Sequence, residues 1–331
     1  MELQIINKPE PFQFPTVVKA GNNTQSTGRP FIEANTIECS LLEIKNDHII
    51  PVFIKDNEPL INHADFVDAA MEVVEDYYSN ETILSPNIRV SHPIKGRIPE
   101  AKNKPANELY EHEKTLYYER MAFIIEIPSV YDDIDGNRLS LTIGGVKSFN
   151  QDNLFSKKGS DEHFKIFIGF KNTVCTNLCV WSDGIVSDLK IGNVGMLKGA
   201  LTNLITKYEV GYHLKNMRTL SEYSLTEKQF AEIVGKLRMY PHLPRKVQNE
   251  INPLQLGDTQ MTTVVKDYYN DHSFCRGNDG EINLWRLYNL LTGANKSSYI
   301  DNFLERGVNA FHFTENIKYA LQKKMNDWYL S

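Results

Sequence analysis

The chain has 331 residues, of which 41% are hydrophobic and 24% are charged, and its formal net charge is −6. This composition excludes a chain that is disordered throughout, a collagen-like rod and a coiled coil, and the length is enough for about two domains. The negative total also excludes a uniformly basic nucleic-acid binder.

Cysteine usage and hydropathy predict a cytoplasmic protein that does not enter a membrane. Four cysteines are too few for a disulfide framework. The first residues lack a basic segment followed by a long apolar run, so no secretory signal is predicted. The most apolar stretch, residues 121–128, is interrupted by Glu126 and is far shorter than the roughly 18 to 20 residues that span a bilayer.

The first part of the chain predicts a leader and then one helix. Residues 1–30 are rich in proline and in small polar residues, which is typical of a flexible segment. Asn62, followed three residues later by Asp65, has the pattern of a helix start. Apolar residues then recur at helical spacing, so we predict an amphipathic helix over 63–78.

Between residues 87 and 191 the pattern changes to strands. Runs rich in β-branched, aromatic and aliphatic residues predict strands at 116–128, 139–143, 164–170, 174–181 and 185–191. The string Asp135-Gly136-Asn137 favours a hairpin turn, because Gly and Asn accept a positive φ. Consecutive hairpins with short links predict an antiparallel sheet.

After residue 193 helical patterns replace the strands. We predict helices at 196–209, 226–239, 258–270, 282–293 and 314–326, with Thr226, Asp258 and Thr314 as N-caps. The predicted fold class is therefore α+β, with an antiparallel hairpin-built sheet followed by a helical C-terminal half. The predicted divisions are a leader over 1–30, an antiparallel-sheet domain over 31–192, and a helical domain or subdomain over 193–331.

Charge is unevenly distributed along the chain. Residues 31–81 have a net charge of −10, whereas residues 82–250 have a net charge of +4. Basic residues concentrate in two clusters, Arg89, Lys95, Arg97, Lys102 and Lys104, and then Lys147, Lys157, Lys158, Lys165 and Lys171. If both clusters shared one sheet face, that face would attract a phosphate backbone.

Aromatic residues interleave with these bases, and aromatic side chains on a sheet stack against unpaired bases. We therefore predict a nucleic-acid-binding face formed by Arg89, Lys95, Arg97, Lys147, Lys165, Lys171, Tyr117 and Phe149. The alternative is that the bases are solvated strand edges and the aromatics belong to the core.

No motif in the sequence identifies a reaction, a metal or a cofactor. The nine histidines show no H-E-x-x-H pattern. Residues 143–148 lack the spacing of a phosphate-binding loop, so Gly144 and Gly145 predict a bulge or a close backbone approach. Asp183, Asp188 and Lys190 have the minimal composition of a metal-dependent nuclease site, which we retain as a hypothesis.

Several ordered strings resemble one known family. They include Phe31-Ile-Glu-Ala-Asn-Thr36, Val174-Cys-Thr-Asn-Leu178, Arg276-Gly-Asn-Asp-Gly280 and Asn295-Lys-Ser-Ser-Tyr299. From about Phe31 to the C-terminus the chain resembles the domain-of-unknown-function family numbered 3871, found in Bacteroidetes on conjugative transposons and other mobile genetic elements. Two strings, at 174–178 and 285–292, are also similar to a phage/plasmid-like family of unknown function. The resemblance implies a mobile-element setting and no reaction.

The leading hypothesis is a non-catalytic, DNA-binding protein of a mobile element, which engages single-stranded or double-stranded DNA through a basic sheet face. One alternative is a protein-interaction or regulatory module, in which the acidic residues 31–81 bind an element or host protein. The second alternative is the metal-dependent nuclease. The sequence leaves the oligomeric state open.

Overall fold

A computed structural model describes residues 29–48, 61–154, 161–324 and 327–330. The predicted leader, apart from its last two residues, lies outside this described part, as do Lys157 and Lys158. The strands are β1 (Thr36–Cys39), β2 (Asn87–Ser91), β3 (Ile94–Arg97), β4 (Lys114–Tyr117), β5 (Arg120–Ile134), β6 (Asn137–Ser148), β7 (Glu162–Asn172), β8 (Leu178–Cys179), β9 (Ile185–Ile191), β10 (Ser224–Leu225) and β11 (Ile282–Asn283). The helices are α1 (Leu41–Asp47), α2 (His63–Tyr77), α3 (Phe149–Leu154), α4 (Val194–Lys207), α5 (Val210–Leu220), α6 (Glu227–Met239), α7 (Arg245–Gln248), α8 (Asp258–Asn270), α9 (Leu284–Asn295) and α10 (Phe303–Lys323).

Seven strands form one sheet in which every pairing is antiparallel. The order is β1-β2-β5-β6-β7-β8, and β9 pairs with another part of β7. The long hairpin β5–β6 turns at Asp135 and Gly136, whose φ angles of 49° and 73° are in the left-handed region. The sheet precedes a helical C-terminal half, so the predicted α+β class is confirmed.

The sheet has two unequal faces, because successive side chains of a strand point to opposite sides. On β5, Met121, Phe123 and Ile125 face the main hydrophobic core, and we call this side the core face. Ala122 and Ile124 point to the other side, the outer face, where a smaller apolar cluster includes Phe31, Ile32, Ile300, Phe303 and Leu304.

Helix α2 packs against the core face, as its predicted apolar stripe requires. In its capping box the Asn62 side chain accepts a hydrogen bond from the Asp65 backbone N–H, and the Asp65 carboxylate accepts one from the Asn62 backbone N–H. Phe66 lies over Gly145, where a Cβ atom would come within 2.3 Å of the Phe66 ring. The predicted close approach at the two glycines is therefore confirmed. Its cause at Gly145 is the packing of α2, and at Gly144 it is the Phe123 carbonyl and the Phe167 ring.

The structure differs from the prediction in several elements, including the N-cap of α8, which is Gly257 and not Asp258. Helix α5 has no predicted counterpart, since its polar face obscures the apolar spacing. Helix α10 begins at Phe303, so Thr314 is a buried residue inside the helix, and its hydroxyl donates to the Ala310 carbonyl. The predicted strand over 174–181 reduces to β8, because Thr176 has a φ of 58° and the chain forms a loop there.

The main core extends across the predicted boundary at residue 192. It contains sheet residues such as Ile143 together with Leu197 of α4 and Trp285 of α9. The two halves thus share one apolar interior, in which the sheet and the helices cover each other. No helix in the described ranges is long and apolar enough to cross a bilayer.

Candidate nucleic-acid interface

The chain between β2 and β5 forms a two-stranded β-ribbon outside the main sheet. Strands β3 and β4 pair antiparallel, with Ile94 opposite Tyr117 and Lys95 opposite Leu116. Short 3-10 turns connect the two strands. We call residues 92–117 the ribbon. This pairing brings together three of the residues that the sequence predicts for nucleic-acid binding, namely Lys95, Arg97 and Tyr117.

Three cations of the ribbon have no ion-pair partner among the described residues, namely Lys95, Lys102 and the half-buried Arg97, whose guanidinium donates to the Lys104 carbonyl. Lys95 and Lys102 are exposed. The other ribbon lysines are paired, Lys104 with Glu113 and Lys114 with Glu111. Lys95 and Lys102 are therefore available to an external anion.

Exposed aromatic rings also lie on the ribbon. Tyr110 is 65% exposed, and the Lys104 ammonium lies 4.8 Å from the centroid of its ring. The His112 ring is nearly parallel to the Tyr110 ring, with 5.6 Å between centroids. Tyr117 is half-buried. Flat exposed rings beside lysines are the surface that unpaired bases stack on.

A groove of about 290 Å³ lies at the base of the ribbon. His92 and Ile94 line one side, and Arg120 and Tyr299 line another. Tyr299 is 60% exposed although it is a large aromatic residue. We call this feature the groove, and it continues the ribbon surface onto the outer face of the sheet.

Two predicted contact residues are buried, which corrects the expectation that they lie on an accessible face. Lys147 has no exposed surface, and its ammonium lies 3.1 Å from Asp152 Oδ2 and 2.7 Å from Glu162 Oε2. Phe149 is 1% exposed and its ring stacks on His63 with 4.6 Å between centroids. Lys147 comes two residues after Gly145 on β6, so its side chain points to the core face, where side chains are enclosed.

The other three predicted bases lie on the outer face, but each is already engaged. Arg89 donates to the Thr36 carbonyl at 2.8 Å and to its hydroxyl at 3.1 Å. Lys165 pairs with Glu305, and Lys171 pairs with Glu126. On this face the charges of Lys165 and Lys171 are therefore neutralised, and the Arg89 guanidinium is held by Thr36, whereas Lys95 and Lys102 of the ribbon are exposed and unpaired.

The hypothetical nuclease residues do not form one group. Asp188 and Lys190 lie on the same exposed side of β9, whereas Asp183 precedes the strand in a 3-10 turn. The three residue steps from Ile185 to Asp188 already span roughly 10 Å. In the described ranges, no group of three or more His, Cys, Asp or Glu residues is arranged to hold a metal ion.

All four cysteines are free thiols. Burial raises the pKa of Cys175 and of Cys39 to about 11, so both remain protonated at neutral pH. A protonated thiol is a poor nucleophile and a poor metal ligand. These cysteines therefore belong to the packing of the protein.

The sequence did not indicate Tyr110 and Tyr299 as candidate interface residues. The available signal was an aromatic residue at the end of a polar loop string, such as Asn295-Lys-Ser-Ser-Tyr299. The exposure of such a residue is informative, because large aromatics are usually buried.

Comparison with known proteins identifies the family of the chain but gives no information on its activity. Searches of curated proteins and of solved structures give no significant match. One family model matches residues 12–330, so the similarity begins upstream of Phe31. The chain belongs to the family described as "Domain of unknown function, B. Theta Gene description (DUF3871)".

Proposed function

We propose that this protein binds single-stranded nucleic acid, DNA in the first place, through the ribbon and the groove, without catalysing a reaction. The observation that carries this proposal is that the ribbon presents the exposed, unpaired Lys95 and Lys102 together with the exposed ring of Tyr110, and that the adjoining groove presents the exposed ring of Tyr299. The resemblance to mobile-element proteins and the free thiols support a cytoplasmic protein that handles the DNA of such an element.

A single strand suits this surface better than a duplex. In a duplex the bases already stack on each other, whereas a single strand presents unpaired bases to exposed rings, at about 1–3 kcal/mol per base. The lysines supply attraction to phosphates, which is independent of base sequence. Lys165 and Lys171 on the sheet face add little to this attraction, because each is paired with a glutamate.

Fluorescence anisotropy with a labelled single-stranded oligonucleotide tests the proposal at about 50 mM and about 200 mM salt. The test variant is Lys95→Glu/Lys102→Glu. We expect it to bind at least about tenfold more weakly, and the slope of log K against log salt to fall by about 1.4, because each contact to a single strand contributes about 0.7.

A matched control carries the same change in charge elsewhere. Lys228 of α6 and Lys246 of α7 are exposed and have no ion-pair partner in the part of the chain that the structure describes. Lys228→Glu/Lys246→Glu is expected to retain most of the affinity. Equal losses in the two double variants, or no binding by the unaltered protein at low salt, would overturn the proposal. Tighter binding to a duplex of the same length would contradict the stacking role of the aromatic rings.

A further inference from the structure

A second cavity, of about 310 Å³, lies next to the groove on the outer face of the sheet. Its lining includes Val146, Ser148, His163, Lys165, Asp188 and Asp301. An ion pair connects the two spaces, because Arg120 lines the groove, Asp301 lines the cavity, and Arg120 Nε lies 2.6 Å from Asp301 Oδ2. A single strand of nucleic acid bound in the groove would therefore pass the mouth of the cavity.

Two polar atoms at this cavity lack a hydrogen-bond partner among the described residues. Ser148 is 4% exposed, and its Oγ atom is buried and unpaired. Asp301 Oδ1 is also buried and unpaired, since the pair with Arg120 uses the other carboxylate oxygen. A buried polar group without a partner costs about 1–3 kcal/mol, so a ligand that satisfies both atoms recovers this free energy.

The charges around the cavity exclude a phosphate and favour a neutral group with N–H donors. Asp188 and Asp301 contribute two carboxylates to the lining. The one lysine of the lining, Lys165, is engaged with Glu305 and with the Asp301 carbonyl. Val146 adds an apolar surface suited to a flat ring.

We infer that the cavity accepts an amino-bearing nucleobase of the bound strand, and so prefers cytosine to thymine. This inference rests on the proposed function. Asp301 Oδ1 accepts a hydrogen bond from the exocyclic amine, and the Ser148 hydroxyl bonds to the polar edge of the ring. Thymine has a carbonyl at the position where cytosine has its amine, so it leaves the carboxylate oxygen unpaired.

The test compares oligo-dC with oligo-dT of equal length, both in the anisotropy assay. Both are pyrimidine strands, which reduces the difference in stacking. We expect the unaltered protein to favour oligo-dC by about tenfold, within the 1–3 kcal/mol of a good base contact. Ser148→Ala and Asp301→Asn are expected to reduce the ratio of the two affinities to about one, while the affinity for oligo-dT does not fall.

Asp183→Asn is the control for Asp301→Asn, because it makes the same change in charge on an exposed residue that does not line the cavity. It is expected to keep the dC-to-dT ratio. A ratio near one in the unaltered protein, with both strands still weakened by Lys95→Glu/Lys102→Glu, would overturn this inference and leave the proposed function intact.

If no oligonucleotide binds, the proposed function fails, and the cavity is tested separately with free cytidine and thymidine. Nuclear magnetic resonance then follows the imidazole signals of His163, which lines the cavity. Shifts with cytidine that are absent with thymidine and absent in Ser148→Ala would support the cavity as a base site. Equal shifts, or none, would overturn it.

Discussion

At the scale of single residues, Lys147 is the clearest case of a charge that the fold encloses completely. Its ammonium lies between Asp152 and Glu162 and 3.9 Å from the centroid of the Phe164 ring. Both acids also accept hydrogen bonds from the backbone. Asp152 Oδ1 accepts from the backbone N–H of His163 at 2.7 Å, and Glu162 Oε1 accepts from the backbone N–H of Ile61 at 3.1 Å. A buried charge persists only when partners of this kind replace water.

Replacing Lys147 with Met leaves two buried carboxylates without their cation. We expect Lys147→Met to lower the free energy of unfolding by about 3–5 kcal/mol, the usual effect of breaking a buried ion pair. Urea denaturation measures this change. Lys190→Met alters an exposed lysine of β9 and is expected to change stability by no more than about 0.5 kcal/mol. Similar midpoints for the two variants would show that Lys147 is not an enclosed charge.

At the scale of elements, the contact between α2 and the sheet depends on the absence of a side chain at Gly145. Phe66 meets Phe123 and Phe164 edge to face, each with 4.9 Å between centroids. A Cβ atom at Gly145 would lie 2.3 Å from the Phe66 ring and 2.8 Å from the Lys165 carbonyl oxygen. The helix would have to move away from the sheet to admit it.

Gly145→Ala is therefore expected to lower the free energy of unfolding by about 1–3 kcal/mol, as overpacking of a core does. Gly199 of α4 is the matched control, because nothing lies within 4 Å of the position of its Cβ atom. Gly199→Ala is expected to stabilise the protein by up to about 1 kcal/mol through helix propensity. Thermal unfolding measures the melting temperature of each variant. A melting temperature that rises in Gly145→Ala as well as in Gly199→Ala would refute the close packing of α2 on the sheet.

Local patterns were sufficient for some elements and insufficient for others. Helix α6 has its predicted capping box at Thr226, and the β5–β6 hairpin has its predicted turn, because both depend on neighbouring residues only. The start of α10 and the loop around Thr176 were mispredicted. The loop is held from outside its own segment, since Asn177 Nδ2 donates to the Asn289 carbonyl of α9 at 2.8 Å.

At the scale of the whole molecule, buried histidines make stability depend on pH. Burial lowers the pKa of His48 to about 4 and that of His213 to about 3, and it also lowers the pKa of His63 well below its ordinary value. In the unfolded chain these imidazoles titrate near 6.5. Between 6.5 and the folded values the unfolded state binds more protons, so stability falls as pH falls.

We expect the free energy of unfolding to be constant near neutral pH and to decrease from about pH 6.5 downward. By pH 5 each buried histidine lowers it by about 1–2 kcal/mol. Urea titrations at several pH values measure the slope. His213→Gln removes one buried histidine and is expected to make the slope smaller. A free energy that stays constant down to pH 5 would contradict the burial of His63 and His213.

The sequence by itself determined the α+β class, the main antiparallel hairpin, most of the helices and the family, since these depend on spacing, turn chemistry and ordered strings of residues. It did not determine which lysines are free. Lys95, Lys147 and Lys165 look alike in the sequence, yet one is exposed, one is enclosed and one is paired with Glu305 of α10. Only the tertiary structure decides this, because a desolvated charge requires a partner, and the partner comes from a residue distant in the chain.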